Sequence, residues 1–224
     1  MPHGRVHFHE ELERLELDVL GMGEMAERFL GQAMEALSTS SAELAEKVIL
    51  SDDEIDALYL SVEQRTLEVL ALQTPVATDL RLISFIFHVN QHLERIGDIS
   101  TNIAKITKVT AGLPRSETIL THLQEMADVV RPMVRTAMEA FSRRDVELAR
   151  KLPEMDDPVD RLNRGMWREV AACANDQDLL EWAVRMMVVS RLLERVGDHA
   201  VDIAEQVAFL LTGEFQEFSS DDDD

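Results

Sequence analysis

Cysteine is almost missing from this chain. Cys173 is the single one in 224 residues, so no disulfide can form within it, as fits a reducing compartment. Glycine and proline are scarce as well, nine and six, and aromatics make up only 5%. That poverty, beside plentiful Leu, Val, Ala, Glu and Met, argues against sheet and for helix. Positive charge is outweighed, 22 Lys and Arg against 43 Asp and Glu, a formal charge of −21. Such a surface repels phosphate backbones, which excludes direct nucleic-acid binding, and it disfavours anionic membranes while attracting cations. The nearly apolar stretch at 82–89 is too short to span a bilayer, and Met1-Pro2-His3-Gly4-Arg5 leads into charged residues with no apolar signal region. A soluble, cytoplasmic, all-α protein is expected. No glycine-rich phosphate loop, nucleophile elbow or catalytic zinc motif occurs.

What the chain does have is one motif twice. Leu93-Glu94-Arg95-Ile96-Gly97-Asp98 returns a hundred residues later as Leu193-Glu194-Arg195-Val196-Gly197-Asp198. Over the fourteen positions from His92, matched to those from Leu192, seven are identical. An internal repeat of this kind fixes the architecture. Asp52-Asp53-Glu54-Ile55-Asp56-Ala57-Leu58 likewise matches Asp156-Asp157-Pro158-Val159-Asp160-Arg161-Leu162.

Periodicity assigns the elements. A first helix over 6–37 carries the stripe Leu12, Leu15, Val19, Met22, Ala26, Phe29, Ala33, Leu37. Ser38-Thr39-Ser40-Ser41 breaks it, and a short piece follows at 42–49. Ser51 with Glu54 has the form of a capping box opening the next helix, which Thr74-Pro75 ends. A third helix runs over 76–110 to the linker Gly112-Leu113-Pro114. The second half repeats the plan: a helix over 116–143 with Pro132 as a kink or offset start, then a short piece at 145–151. Asp157-Pro158 starts a further helix, Asn175-Asp176-Gln177-Asp178 turns, and a last helix covers 179–212. The expected architecture is two tandem, pseudo-symmetric three-helix bundles at 1–112 and 115–216, with a disordered acidic tail at 217–224. Trp167, Trp182, Met186 and Met187 are expected to pack inside.

Glu94 and Asp98 lie one helical turn apart on a shared face, as do Glu194 and Asp198. Folding each half back on its turn brings a second acidic pair alongside. A turn centred near 74.5 sets Asp56 opposite position 93 and Asp52 opposite position 97. One near 176.5 sets Asp160 opposite 193 and Asp156 opposite 197. Clustered carboxylates need protons or cations. An all-oxygen set suits hard ions, namely magnesium, calcium, manganese or iron, with zinc as a further option. The candidate ligands are Glu94, Asp98, Glu194, Asp198, Asp52, Asp56, Asp156 and Asp160, with Asp202 adding a carboxylate where the first copy has Asn102. Asp52 could instead serve only the helix start. Glu94–Arg95 and Glu194–Arg195 could be ordinary surface pairs. His92 and His199 adjoin the motifs, but neighbouring helical positions point away from one another. Gly97 and Gly197 suggest close helix approach or room around a ligand.

At these residues the chain resembles the PhoU family of phosphate-uptake regulators. The likeness rests on the doubled motif, on Asn102-Ile103-Ala104 and its second copy, and on Pro75-Val76-Ala77-Thr78-Asp79-Leu80-Arg81. It departs at Asp202 and at Glu181, which stands where Arg81 does in the first half. The resemblance implies two three-helix bundles, metal at the Glu-x-x-x-Asp motifs, frequent homodimers and no catalysis. It also implies an adaptor that couples the phosphate ABC transporter ATPase to a sensor histidine kinase, repressing the phosphate-starvation response. Three alternatives stand beside it: a carboxylate-bridged metal protein of ferritin-like type, a metal-free helical scaffold whose acidic faces are simply solvated, and an accessory of another ion transporter. The first usually needs Glu-x-x-His pairs, and none of the seven histidines has a glutamate three residues before it.

Overall fold

The computed structural model describes residues 2–218, with side chains from residue 7 onward. Among the described residues there is no strand, and eight helices follow one another. They are α1 Pro2–Thr39, α2 Ala42–Leu50, α3 Asp52–Leu72, α4 Thr78–Thr110, α5 Glu117–Arg143, α6 Val146–Ala149, α7 Leu152–Ala172 and α8 Gln177–Thr212. Three long helices with one short insert form each half, α1, α3 and α4, then α5, α7 and α8.

The stripe expected on α1 is buried at every position from Leu12 to Leu37. It packs on α4 and α3 within its own half and on α5 across to the other. Helix α8 does the same for the second half, packing on α5 and α7 and also on α4. Large side chains that close this core include Trp182 and the stacked pair Phe85 and Phe141, whose ring centroids lie 4.2 Å apart. The two motif-bearing helices therefore run side by side through the centre of the molecule, and the halves share one apolar core. The guanidinium of Arg81 ties them further, its Nε donating to the Leu210 carbonyl at 3.2 Å.

A polar bridge recurs at the same level of each half. Asn90 Nδ2 donates to the Tyr59 carbonyl at 3.0 Å between α4 and α3. Ser190 Oγ donates to Asn163 Oδ1 at 2.9 Å between α8 and α7. These contacts fix the level at which the acidic positions of α3 and α7 stand against the motifs.

Several local expectations need correction. Ser51 makes no side-chain cap for α3; its hydroxyl donates back to the Lys47 carbonyl, ending α2 instead. Helix α4 starts at Thr78, not at 76, because Ala77 sits at φ 47° and breaks the helical run. Helix α7 begins at Leu152 with Pro153 in its first turn, so Pro158 lies inside the helix, as Pro132 does in α5. Trp182 is buried, but Trp167 is 58% exposed with Arg168 against its ring, and Met187 is exposed beside buried Met186. Phe218 packs on the core and its N–H donates to Glu205 Oε1 at 2.6 Å, while the acidic residues 219–224 of the expected tail lie outside the described residues.

Candidate metal centre

In the first half α3 presents Asp52 and Asp56, and α4 presents Glu94 and Asp98. Burial raises the Glu94 carboxyl above the ordinary glutamate range; Asp98 adds to this, Arg95 opposes it, and Asp56 and Asp52 add further. Asp56 is raised by burial, then by Asp52 and Asp98. The four carboxylates therefore share one electrostatic field, as opposed helices carrying like charge must. Part of it is neutralised locally. Arg95 donates to Asp98 Oδ2 at 3.0 Å and its Nε stands 3.5 Å from Glu94. Thr101 Oγ1 donates to Asp52 Oδ1 at 3.0 Å.

That last contact shifts the register from the one the turn alone suggests. Asp52 meets Thr101, and Ile55 fills the space beside Gly97, with Cδ1 and Cγ2 both 3.0 Å from where a Cβ would stand. These two contacts centre the α3–α4 pairing near residue 76 rather than 74.5, so Asp52 stands about one helical turn further along α4 than expected.

The second half has the tighter cluster. Asp156 and Asp160 on α7 face Glu194 and Asp198 on α8. Asp156 is pushed up to about 7 by burial, then by Asp160, Asp198 and Glu194. Glu194 is raised by burial and Asp198, against Arg191, with Asp160 adding. Asp198, at the solvent edge, is raised by partial burial first, then by Asp160 and Asp202. The hydrogen-bonding partner of Glu194 is Arg191, which donates to Oε1, rather than the neighbouring Arg195. Asp156 lies against Gly197: its Oδ1 is 2.1 Å from the point a Cβ would occupy. Only glycine leaves that space, and the carboxylate fills it.

Two oxygens of this cluster, Asp156 Oδ1 and Glu194 Oε2, are buried without a hydrogen-bond partner. Buried carboxylate oxygens left unpaired are costly, and a cation or a proton is what satisfies them. The donor set is all oxygen, so it fits a hard cation held by Asp156, Asp160, Glu194 and Asp198. The first set fits less readily, because Arg95 and Thr101 already occupy parts of Asp98 and Asp52. Neither acidic set draws three ligand atoms within 4.8 Å of one another; among the described residues that is done by His92, His199 and Asp202.

Asp202 therefore stands apart from the set to which its spacing assigned it. It turns toward the α4–α8 seam, its Oδ2 3.5 Å from His92 Nδ1 and 3.7 Å from His199 Nδ1. Both histidines, set aside by their sequence position, face each other there with Nδ1 atoms 3.1 Å apart. Burial lowers His92 to about 4, against Asp202, with His199 and His88 lowering it further. The repeat gives no hint of this pairing: His92 matches Leu192, and His199 matches Ile99. Asn102, on the line of Glu94 and Asp98, is exposed.

The family model described as the PhoU domain matches the chain twice, at residues 19–107 and 123–207. A phosphate-specific transport system accessory protein PhoU homolog from Thermotoga maritima is 35% identical over 209 residues, 93% of this chain and 90% of that protein. The crystal structure of PhoU from Pseudomonas aeruginosa superposes with a TM-score of 0.87 at 32% identity, covering 92% of this chain and 100% of that one. That of the phosphate transport system regulatory protein PhoU from Streptococcus pneumoniae gives 0.83 at 27%, with 93% and 99% covered.

Proposed function

The chain belongs to the PhoU family, and from that premise we propose that it is a cytoplasmic, non-catalytic accessory of phosphate transport that holds metal ions in its duplicated acidic sites. In this reading it couples the phosphate ABC transporter ATPase to a sensor histidine kinase and represses the phosphate-starvation response when phosphate is plentiful. Names of the relatives, which describe accessory and regulatory proteins of phosphate transport, support the first part. Among the described residues no helix is long and apolar enough to cross a membrane, which suits a partner docking on a transporter rather than a component embedded with it.

One observation carries the metal reading: Asp156 and Glu194 each bury a carboxylate oxygen with no partner, on facing helices, beside a glycine whose missing side chain makes the room. Glu94, Asp98, Asp52 and Asp56 would supply the corresponding site in the first half. The bound ion, iron, manganese, magnesium or zinc, would neutralise the clustered charge and hold α3 to α4 and α7 to α8. A homodimer is the expected assembly.

Elemental analysis tests the metal sites. The purified protein should carry more metal than a variant with Glu94→Ala, Asp98→Ala, Glu194→Ala and Asp198→Ala; a folded variant with unchanged metal content would sink this part. The regulatory role is tested separately. Deleting the gene should release phosphate-starvation genes from repression in phosphate-rich medium, and a strain whose expression stays phosphate-regulated would refute it. Pull-down with the transporter ATPase and the sensor kinase should recover both, and size-exclusion chromatography should give twice the chain mass.

A further inference from the structure

The seam between the halves brings together side chains that neither acidic motif uses. His92 comes from α4, and His199 and Asp202 come from α8, one helical turn apart. Their facing atoms form a triangle with sides of 3.1, 3.5 and 3.7 Å. A point equidistant from its corners lies about 2.0 Å from each, which is the bond length zinc makes to imidazole nitrogen and carboxylate oxygen. The edges also match the roughly 3.3–3.4 Å that separates ligands around a tetrahedral ion with bonds of about 2.1 Å. We propose that His92, His199 and Asp202 form a further cation site at the α4–α8 seam, distinct in chemistry from the acidic motifs and selective for a borderline divalent ion such as Zn²⁺.

Two imidazoles and one carboxylate are a donor set for zinc and its transition-metal neighbours, whereas the acidic clusters offer oxygen alone. Three protein ligands leave a fourth position, which water can fill from the exposed side of Asp202, 47% of whose side chain is accessible.

The alternative is a metal-free hydrogen bond between the two imidazoles. It accounts for the 3.1 Å contact but not for Asp202, whose oxygen is too far from both rings for a good hydrogen bond. The Nε2 of His199 is buried without a partner in either case, so it does not discriminate. The repeat argues for a dedicated site. Its equivalents of His92 and His199 are Leu192 and Ile99, both buried and apolar. A packed seam therefore needs only apolar side chains at these positions; the two imidazoles that stand there instead are part-buried with their Nδ1 atoms facing each other and Asp202, an arrangement that a shared cation would satisfy.

The site does not depend on the acidic sets, so its test separates from theirs. Metal-stripped full-length protein is titrated with Zn²⁺ by equilibrium dialysis with elemental analysis. The pair His92→Gln with His199→Gln should remove one Zn²⁺ equivalent per chain, weakening it by more than the roughly 10- to 100-fold that loss of an outer-shell partner costs. The variant Glu94→Gln, Asp98→Asn, Glu194→Gln, Asp198→Asn should retain that equivalent. A folded double-histidine variant that binds Zn²⁺ with unchanged stoichiometry and affinity overturns the proposal. A second measurement needs no substitution. In histidine-labelled wild-type protein, titration to saturating Zn²⁺ should shift the imidazole resonances of His92 and His199 together while His122 stays in place; His92 and His199 signals that stay unmoved at saturation overturn it equally.

Discussion

Gly97 and Gly197 occupy the same place in the repeated motif but face different neighbours, so the same substitution should act on them in opposite ways. Alanine at 197 would set a Cβ 2.1 Å from Asp156 Oδ1, forcing that carboxylate to swing away. No hydrogen bond is lost, since the oxygen has none, and alanine favours the helix by about 1 kcal/mol. Gly197→Ala should leave thermal stability of the metal-free protein unchanged or slightly raised, while weakening metal binding in the second acidic site by at least ~10-fold, as read by calorimetric titration. Alanine at 97 would press on two carbons of fully buried Ile55. Overpacking there costs about 1–3 kcal/mol against the same helical gain, so Gly97→Ala should lower stability by on the order of 1 kcal/mol in urea denaturation. The raised carboxyl of Asp156 makes a prediction in pH. Its folded value near 7 lies above the unfolded aspartate value of 3.8, so the native state binds the extra proton between them. Stability from this group therefore falls as pH rises from about 4 to 7 and is flat above. His92, lowered from 6.5 to about 4, acts in the opposite sense, withdrawing stability as pH falls through that window. Comparing Asp156→Asn with wild type isolates the first effect. The variant's relative stability, measured by urea denaturation without metal, should climb between pH 4 and 7 and then level off.

Helix starts differ in how they are held, and that difference is measurable. Asp176 accepts from the N–H groups of Asp178 and Leu179, both at 3.1 Å, at the head of α8. Ser51, at the head of α3, caps nothing with its side chain. Asp176→Ala should cost about 1 kcal/mol, whereas Ser51→Ala should stay within ~0.5 kcal/mol, both read from denaturant midpoints at constant m-value. Ser51 and Glu54 have the right spacing for a capping box, but α2 ends at Leu50, and the hydroxyl is drawn back to the Lys47 carbonyl before α3 can use it. Helix periods were legible because apolar stripes repeat within one element. The start of α4 was not, since the positive φ of Ala77 comes from how the chain re-enters the bundle rather than from a residue type that favours it. Pro158 inside α7 and exposed Trp167 escaped the sequence for the same reason: packing on α8 and α5 decides which faces of α7 are covered.

Across the whole molecule, α4 lies against α8 and α1 against α5, so each half covers apolar surface of the other. The two repeats should therefore melt together. Near- and far-ultraviolet circular dichroism should trace a single coincident transition in denaturant, and two separated transitions would mean that the halves are energetically independent. The same seam carries His92 against His199, 107 positions apart, a contact that requires both halves in place.

The all-helical class, the duplication and the acidic pairs on α4 and α8 were set by the sequence alone, because each depends on residues within one or two helical turns of one another. Tertiary structure decided which groups meet. It set Asp156 into the space beside Gly197, moved Asp52 along α4 to Thr101, and turned Asp202 from the acidic motif toward two histidines of the seam. The physical reason is that spacing along a helix fixes a face, whereas the partner of that face depends on turn length and on how the second half packs against the first.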